Sequence, residues 1–489
     1  MPIPAEAFYL DRAASVPLQA QLRRQIISGV LEGRFRAGEK LPSSRHLAAH
    51  LGVARVTVAQ AFAELVATDY LISRDRSGHF ISGRIDPLPA TPDHLARGPR
   101  FEWSDRIDGR FRATERSDRI VDWRSYRYPF VYGQADAALV DHTAWRDCAV
   151  RALGRREFGP LTSDLYGEDD PELIDYIARQ ILPRRGIRAG ADRILLTLGA
   201  QNGLWLAAQV LLAPGSGCVI EDPCYPGLRQ ILAPIGARVT PVPVDAGGLN
   251  PDDLTPDLAA GLAAVFTTAS HQSPTGTAMP EARRRALLER ALHQGFAVVE
   301  DDYEFEMSFA GSPSPALKAR DEAGAVIYIG SFSKTVFPGL RLGYMVAEPA
   351  VIREARALRA LVLRHPPGVL QRTLAYYLSL GHYDAQMTRM RTAYAQRRSA
   401  MAQAITAHGL TPVAETDRGG SSFWMRMPPG AVSARVAAQL RRHDVLIEPG
   451  EPFFATPTDG AGFYRLAYSS IPVERIPEGI ARIAGLLKP

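Results

Sequence analysis

Lys334 lies in the stretch Ser331-Phe-Ser-Lys334-Thr-Val-Phe-Pro-Gly-Leu-Arg341-Leu-Gly-Tyr344. The chain has 57 lysines and arginines together, of which only Lys40, Lys318, Lys334 and Lys488 are lysines. Positive charge is written almost wholly as arginine, so a lysine kept among small, apolar and Gly/Pro residues asks for a chemical reason. Arginine holds its proton near neutral pH, whereas a partly buried lysine can release it. A deprotonated amine condenses with an aldehyde to form a Schiff base. Lys334 is therefore the first candidate for a lysine that carries pyridoxal phosphate (PLP).

Other chemistry-bearing residues follow apolar runs of strand length. After Ile194-Leu-Leu-Thr-Leu comes Gly199-Ala200-Gln201-Asn-Gly, leading into a helix whose first backbone N–H groups could bind a phosphate. A plain strand-to-helix turn is the simpler account of that piece alone. After Gly217-Cys-Val-Ile comes Glu221-Asp-Pro-Cys-Tyr225, an aromatic that could stack on a pyridine ring or simply pack. After Leu262-Ala-Ala-Val-Phe comes His271-Gln-Ser-Pro-Thr-Gly276, a polar turn that could offer donors to a ring hydroxyl. Phe296-Ala-Val-Val ends in Glu300-Asp301-Asp302-Tyr303. Three acids at the end of an apolar strand are costly unless paired or functional. A carboxylate facing a pyridinium nitrogen would keep it protonated; an ion pair or a helix cap competes with that account. Val326-Ile-Tyr-Ile precedes the Lys334 segment, and Arg341, seven residues on, could add a cation for the phosphate.

Continuous apolar strands alternating with helices predict a mostly parallel sheet covered on both faces, with ligands at the carboxyl ends of its strands. This pattern begins near residue 122. The first 82 residues differ. Residues 17–32 and 54–68 have helical apolar spacing, and Leu41-Pro-Ser-Ser-Arg45-His-Leu-Ala-Ala-His-Leu-Gly52 is a short helix capped by Ser43 or Ser44 and stopped by Gly52. Two strand-like pieces then flank Ser77-Gly78. Helix, short helix, turn, helix and β-ribbon is the order of a winged helix-turn-helix. Residues 83–121, with early prolines and the first seven of the nine arginines between Arg97 and Arg127, are expected to be a linker.

A length of 489 residues suits two or three domains, and 46% apolar with 22% charged residues suits a soluble globular protein. Residues 1–85 hold 11 Lys/Arg and 7 Asp/Glu, which is +4 of the net +5 and the sign expected of a nucleic-acid-binding end. Cys148, Cys218 and Cys224 have no metal-type spacing and fit a reducing compartment. With no basic-then-apolar leader and no membrane-length apolar run, a cytoplasmic location is expected.

On Lys334 and the strand-end groups, residues 122–489 resemble the fold-type I aminotransferases, a PLP-dependent superfamily. The resemblance implies that Lys334 is the Schiff-base lysine, Asp301 the partner of the pyridine nitrogen, Tyr303 the tyrosine near the ring hydroxyl and Tyr225 the stacking aromatic. It places Ala200, Gln201, Ser331, Ser333 and Arg341 in the phosphate cup. Arg465 matches the arginine that holds a substrate carboxylate. Tyr166, in Leu165-Tyr-Gly, matches the tyrosine that a partner subunit lends to the phosphate. Ser273 stands where this class has Asn, so the ring hydroxyl's hydrogen bond is expected from His271 or Gln272. The segment after Tyr166 is also shortened.

Residues 1–82 resemble the GntR-type winged helix through Leu41-Pro-Ser-Ser-Arg45-x-Leu-Ala and Arg55-x-Thr57-Val-x-x-Ala61-Phe. The resemblance implies that Arg45, Arg55, Thr57 and Gln60 face double-stranded DNA and that Gly78 and His79 form the wing tip. Ala54 replaces the usual Ser before Arg55 and loses an N-cap. Winged helix, linker and aminotransferase-like domain in that order resemble the MocR-type regulators. The implied function is transcription regulation by a homodimer that senses an amine or amino-acid-like effector through aldimine exchange at Lys334. Three rivals stay open: a regulator that senses PLP itself, a working aminotransferase with an attached DNA-binding domain, and an α/β domain with no cofactor.

Overall fold

The computed structural model describes residues 2–85, 102–109, 111, 122–133, 136–163, 167–307, 314–414 and 420–487. They fall into two compact units, Met1–Asp108 and Gly109–Pro489. Most of the expected linker 83–121 lies outside the described residues.

The first unit is built on α1 (Leu18–Leu31), α2 (Ser44–Leu51) and α3 (Arg55–Ala67), followed by the antiparallel hairpin β1 (Leu71–Arg74) and β2 (Gly78–Ile81). The Ser43 side chain accepts from His46 N and starts α2; Gly52, left-handed at φ 65°, stops it. Leu22, Ile26 and Val30 of α1 meet Leu47, Val58, Phe62 and Leu65 in the core, which the hairpin closes with Leu71 and Ile81. Ile3, Ala5 and Phe8 join the same core. The helical spacing of the later segments gave no sign of this.

The second unit holds the strands β3 (Tyr128–Pro129), β4 (Ile194–Thr197), β5 (Gly217–Asp222), β6 (Arg238–Asp245), β7 (Gly248–Leu249), β8 (Leu262–Thr267), β9 (Ala297–Asp302), β10 (Val326–Ser331), β11 (Gly343–Val346), β12 (Thr411–Pro412), β13 (Ser422–Arg426), β14 (Val445–Leu446), β15 (Glu448–Pro449) and β16 (Phe463–Ala467). Among the described residues the main sheet has the order β4-β11-β10-β9-β8-β5-β6-β7. Its centre, from β10 to β6, is parallel, as the apolar runs predict. The strand β11 is antiparallel to both β10 and β4 and separates the first apolar run from the rest. Residues from alternate positions enter different cores: Leu195, Ile329 and Met345 pack in one, Leu196, Tyr328 and Tyr344 in another. A smaller antiparallel sheet, β12-β13-β16-β15, carries Glu448 and Arg465 opposite each other. No helix among the described residues is long and apolar enough to cross a membrane.

Candidate functional site

The carboxyl ends of β8, β9 and β10, the turn after β4 and the start of β11 converge on one region of the second unit. The chain leaves β10 at Ser331, passes through Lys334 and returns along β11. Lys334 Nζ stands 4.3 Å from the centre of the Tyr132 ring. A Cβ on Gly133, which has φ +80°, would lie 2.7 Å from that nitrogen, so the glycine leaves the amine room to approach this closely. Tyr132, Gly133, Glu304, Ser333, Lys334 and Ser421 line the cleft.

The cup beside Lys334 is assembled by register. Ser331 pairs with Gly343, and Gly343 with Thr197, so the Lys334–Arg341 loop meets the turn after β4. Gly199 takes φ 78° there and opens the helix Ala200–Leu211, which no side chain caps. Ala200 and Gln201 form its first turn, where backbone N–H groups lack helical acceptors. The Arg341 guanidinium lies 3.4 Å from the position of a Gly199 Cβ, and its Nη2 donates to Leu198 O at 3.3 Å. Ser331 Oγ accepts from Ser333 N at 3.2 Å, while the buried Ser333 Oγ has no hydrogen-bond partner. The structure thus brings Ala200, Gln201, Ser331, Ser333 and Arg341 together.

Both competing accounts of the three acids apply, but to the flanking residues. Glu300 accepts from the backbone N–H groups of Leu317 and Lys318 at 2.8 and 3.0 Å. Asp302 forms a buried ion pair with Arg185 at 2.6 Å and accepts from Tyr328 OH at 2.9 Å. Asp301 is left with a buried Oδ1 that has no partner. It lines a second cleft with Tyr225, Glu221, Thr267 and Thr268. Burial first, then the charges of Asp302 and Glu221, push its carboxyl up to about 7, while Lys334 pulls it back. A buried carboxylate in that condition favours a cationic neighbour.

The Tyr303 ring stands edge-on to Tyr132 at 6.3 Å and to His271 at 6.4 Å. His271 Nε2 is 3.5 Å from Glu304 Oε2, and burial pulls its pKa down. Gln272 corrects the expectation that it could serve the ring hydroxyl. Its Nε2 donates to Pro223 O at 2.8 Å and Ser273 O at 3.0 Å, and its Oε1 accepts from Thr275 Oγ1 at 2.7 Å. That amide is committed to holding the turn, which leaves His271 of the two. Tyr166 lies outside the described residues.

Arg465 is not an open fork. Its Nε and Nη2 donate to Glu448 Oε2 and Oε1 at 2.9 and 3.0 Å. Its guanidinium also lies 4.2 Å from the Tyr132 ring centre and 4.7 Å from that of Phe453. Tyr132, Glu304 and Glu448 join the site without having stood out in the sequence. Glu304 follows the strand end Glu300–Tyr303 and Glu448 the short apolar run Val445–Ile447, but the Glu448–Arg465 pair joins positions 17 residues apart that only the β15–β16 register makes neighbours.

In the first unit Arg45, Arg55 and Gln60 are exposed and Thr57 is half-buried. Arg55 Nε reaches Ser44 Oγ at 3.4 Å, linking the start of α3 to that of α2. Gly78 and His79 are not at the wing tip. They lie on β2, paired with Arg74 and Ser73, and the His79 ring packs on Phe62 at 4.9 Å. The turn is Asp75–Ser77, with Arg76 at φ 58°. Arg76 at the turn and Gly78 just after it, at φ 100°, both take positive φ, and the tip lies at Asp75–Ser77, before the glycine.

Comparison with known proteins agrees with this geometry. The family model "Aminotransferase class I and II" matches residues 142–483, and "Bacterial regulatory proteins, gntR family" matches residues 18–81. The HTH-type transcriptional regulator TauR of Rhodobacter capsulatus is 53% identical over 100% of both chains. The probable rhizopine catabolism regulatory protein MocR of Rhizobium meliloti is 31% identical, over 82% of this chain and 79% of that protein. Among solved structures, the α-aminoadipate aminotransferase LysN of Thermus thermophilus, complexed with N-(5'-phosphopyridoxyl)-L-leucine, superposes with TM-score 0.70 at 28% identity, covering 79% of this chain and 98% of LysN. The class I and II aminotransferase fold family is PLP-dependent, and the residues here fit that cofactor. Asp301 offers an unsatisfied buried oxygen, Ser333 an unsatisfied hydroxyl, and Gly199 an uncapped helix start beside Arg341. The chain belongs to the MocR-type GntR transcriptional regulators, a helix-turn-helix domain fused to a class I and II aminotransferase domain.

Proposed function

We propose that the second unit holds PLP on Lys334 and uses it to detect an amine-bearing effector, whose arrival changes DNA binding by the first unit. The observation that carries this reading is Asp301 Oδ1, a buried carboxylate oxygen left without a partner between two engaged acids. The phosphopyridoxyl-leucine bound to LysN supports it. When bound, PLP supplies an aldehyde that condenses reversibly with primary amines.

The chain's own residues have defined tasks in this reading. Lys334 is the tether, held against Tyr132 and Gly133 until an incoming amine takes its place. Ser333, Arg341 and the first turn at Ala200 and Gln201 hold the phosphate without needing Lys334. Asp301 keeps a proton on the ring nitrogen, Tyr225 covers a ring face, and Tyr303 and His271 stand by the ring hydroxyl. Arg465 receives an acid group. A second copy of the chain would lend Tyr166. In the first unit Arg45 and Arg55 contact phosphates and Thr57 and Gln60 lie at the groove. Effector binding can shift the domain arrangement only through its different affinity for the two states.

Purified protein should show a visible absorbance band that Lys334→Ala abolishes and that certain amines change. DNA binding titrated with PLP alone, then with amines, tests the regulatory step. A second reading, in which PLP loading is itself the signal, has support from a relative named pyridoxine biosynthesis transcriptional regulator PdxR, from Corynebacterium glutamicum, 31% identical over 79% of this chain. It predicts that PLP alone gives the full change in DNA binding. Steady keto-acid production from an amino donor would instead mark a working aminotransferase.

A further inference from the structure

The pocket already contains an acid. Glu448 on β15 and Arg465 on β16 are cross-strand partners, and the carboxylate closes the Nε–Nη2 edge of the guanidinium with two hydrogen bonds of 2.9 and 3.0 Å. This is the bidentate geometry that a ligand carboxylate or sulfonate would adopt. Arg465 is buried, and the rings of Tyr132 and Phe453 lie against its guanidinium. An incoming acid can gain the Nε–Nη2 fork only where Glu448 now sits. Glu448 Oε2 also accepts from the Tyr132 backbone N–H at 2.9 Å, so its departure would untie the segment that covers Lys334.

We propose that Glu448 is the specificity-determining residue of this pocket, a built-in competitor that the acid group of the effector must displace from Arg465. Because it is tethered, it competes at an effective concentration set by the fold, and a weakly held acid does not dislodge it. Amines without an acid group meet no such opposition. This rests on the reading that Arg465 receives the acid group of an amine effector. A carboxylate without an amine separates the two ideas, since it cannot condense with an aldehyde.

The test uses the full-length protein as wild type, Glu448→Ala, Glu448→Gln and the double variant Glu448→Ala/Arg465→Ala. Each is titrated with sodium propionate and sodium ethanesulfonate against sodium chloride of equal ionic strength, read by calorimetry and thermal midpoint. Wild type should show little saturable binding. Glu448→Ala leaves a buried cation unpaired and should unfold earlier, with the midpoint restored by either anion. Glu448→Gln, which keeps the shape, should bind the anions at least ~10-fold more tightly than wild type. The double variant should respond to neither. Saturable binding by wild type as tight as by Glu448→Gln, or rescue that persists without Arg465, would overturn the proposal.

A second arm compares β-alanine with n-propylamine by absorbance of the PLP-loaded protein. Glu448→Gln should tighten the first and leave the second unchanged. Anion binding as expected with no amine response in any variant would sink amine sensing while the role of Glu448 stood. An amine response with β-alanine and propylamine affected equally would sink the role of Glu448 instead.

Discussion

Asp301 is held in a place that disfavours its charge. Its carboxyl titrates at about 7, because burial and the neighbouring acids oppose ionisation. The unfolded chain releases that proton near pH 4, so across pH 4–7 the native state binds more protons and loses stability as pH rises; above 7 the cost is constant. Asp301→Asn should therefore stabilise the cofactor-free protein, with a gap near zero at pH 4 that grows to about 2–4 kcal/mol at pH 8. Urea midpoints of the two proteins across that range would show it; a pH-independent gap would refute the buried-carboxylate account. The same change should weaken PLP binding roughly 10-fold or more, because an amide cannot balance a pyridinium charge. That one of the three acids was special was legible in the sequence, since three carboxylates at an apolar strand end need explaining. Which one was free followed only from seeing Arg185 and the Leu317–Lys318 backbone take the other two. Glu448 follows the short apolar run Val445–Ile447, but its meaning comes from a cross-strand neighbour.

The strands β5, β8, β9 and β10 could be read directly, since strands covered on both faces are apolar without interruption, whereas β6, largely exposed, could not. The strand β11 could not. Its four residues follow directly on the lysine segment, and an antiparallel return there puts Arg341 against Gly199, whereas a parallel neighbour would have required a crossover. The wing was shifted for a related reason, since turn chemistry at Ser77-Gly78 suggested a tip that Arg76 occupies. The junction of β4 with its helix is the most demanding of these elements. Gly199→Ala would force a side chain into φ 78° and against the Arg341 guanidinium at 3.4 Å. PLP affinity should drop by roughly 10-fold or more with little loss in the far-ultraviolet circular dichroism. Unchanged affinity would show that this turn does not hold the phosphate.

The two units divide the chemistry of the molecule, with most of the excess positive charge in the first 85 residues. Phosphate contacts made by that end release counterions, so affinity for DNA should fall steeply with salt. Arg76→Ala, at the tip of the wing, should lower affinity across DNA sequences and reduce the salt slope by about 1 if it neutralises one phosphate. A loss confined to one sequence would indicate base reading instead.

The ring of Tyr132 has Lys334 Nζ at 4.3 Å and the Arg465 guanidinium at 4.2 Å. In the proposed reading an effector's amine takes the place of Lys334, and its acid displaces Glu448 from Arg465 and from the Tyr132 backbone N–H. Tyr132 thus stands where both halves of such a signal would meet, with its ring against both side chains and its backbone N–H held by Glu448.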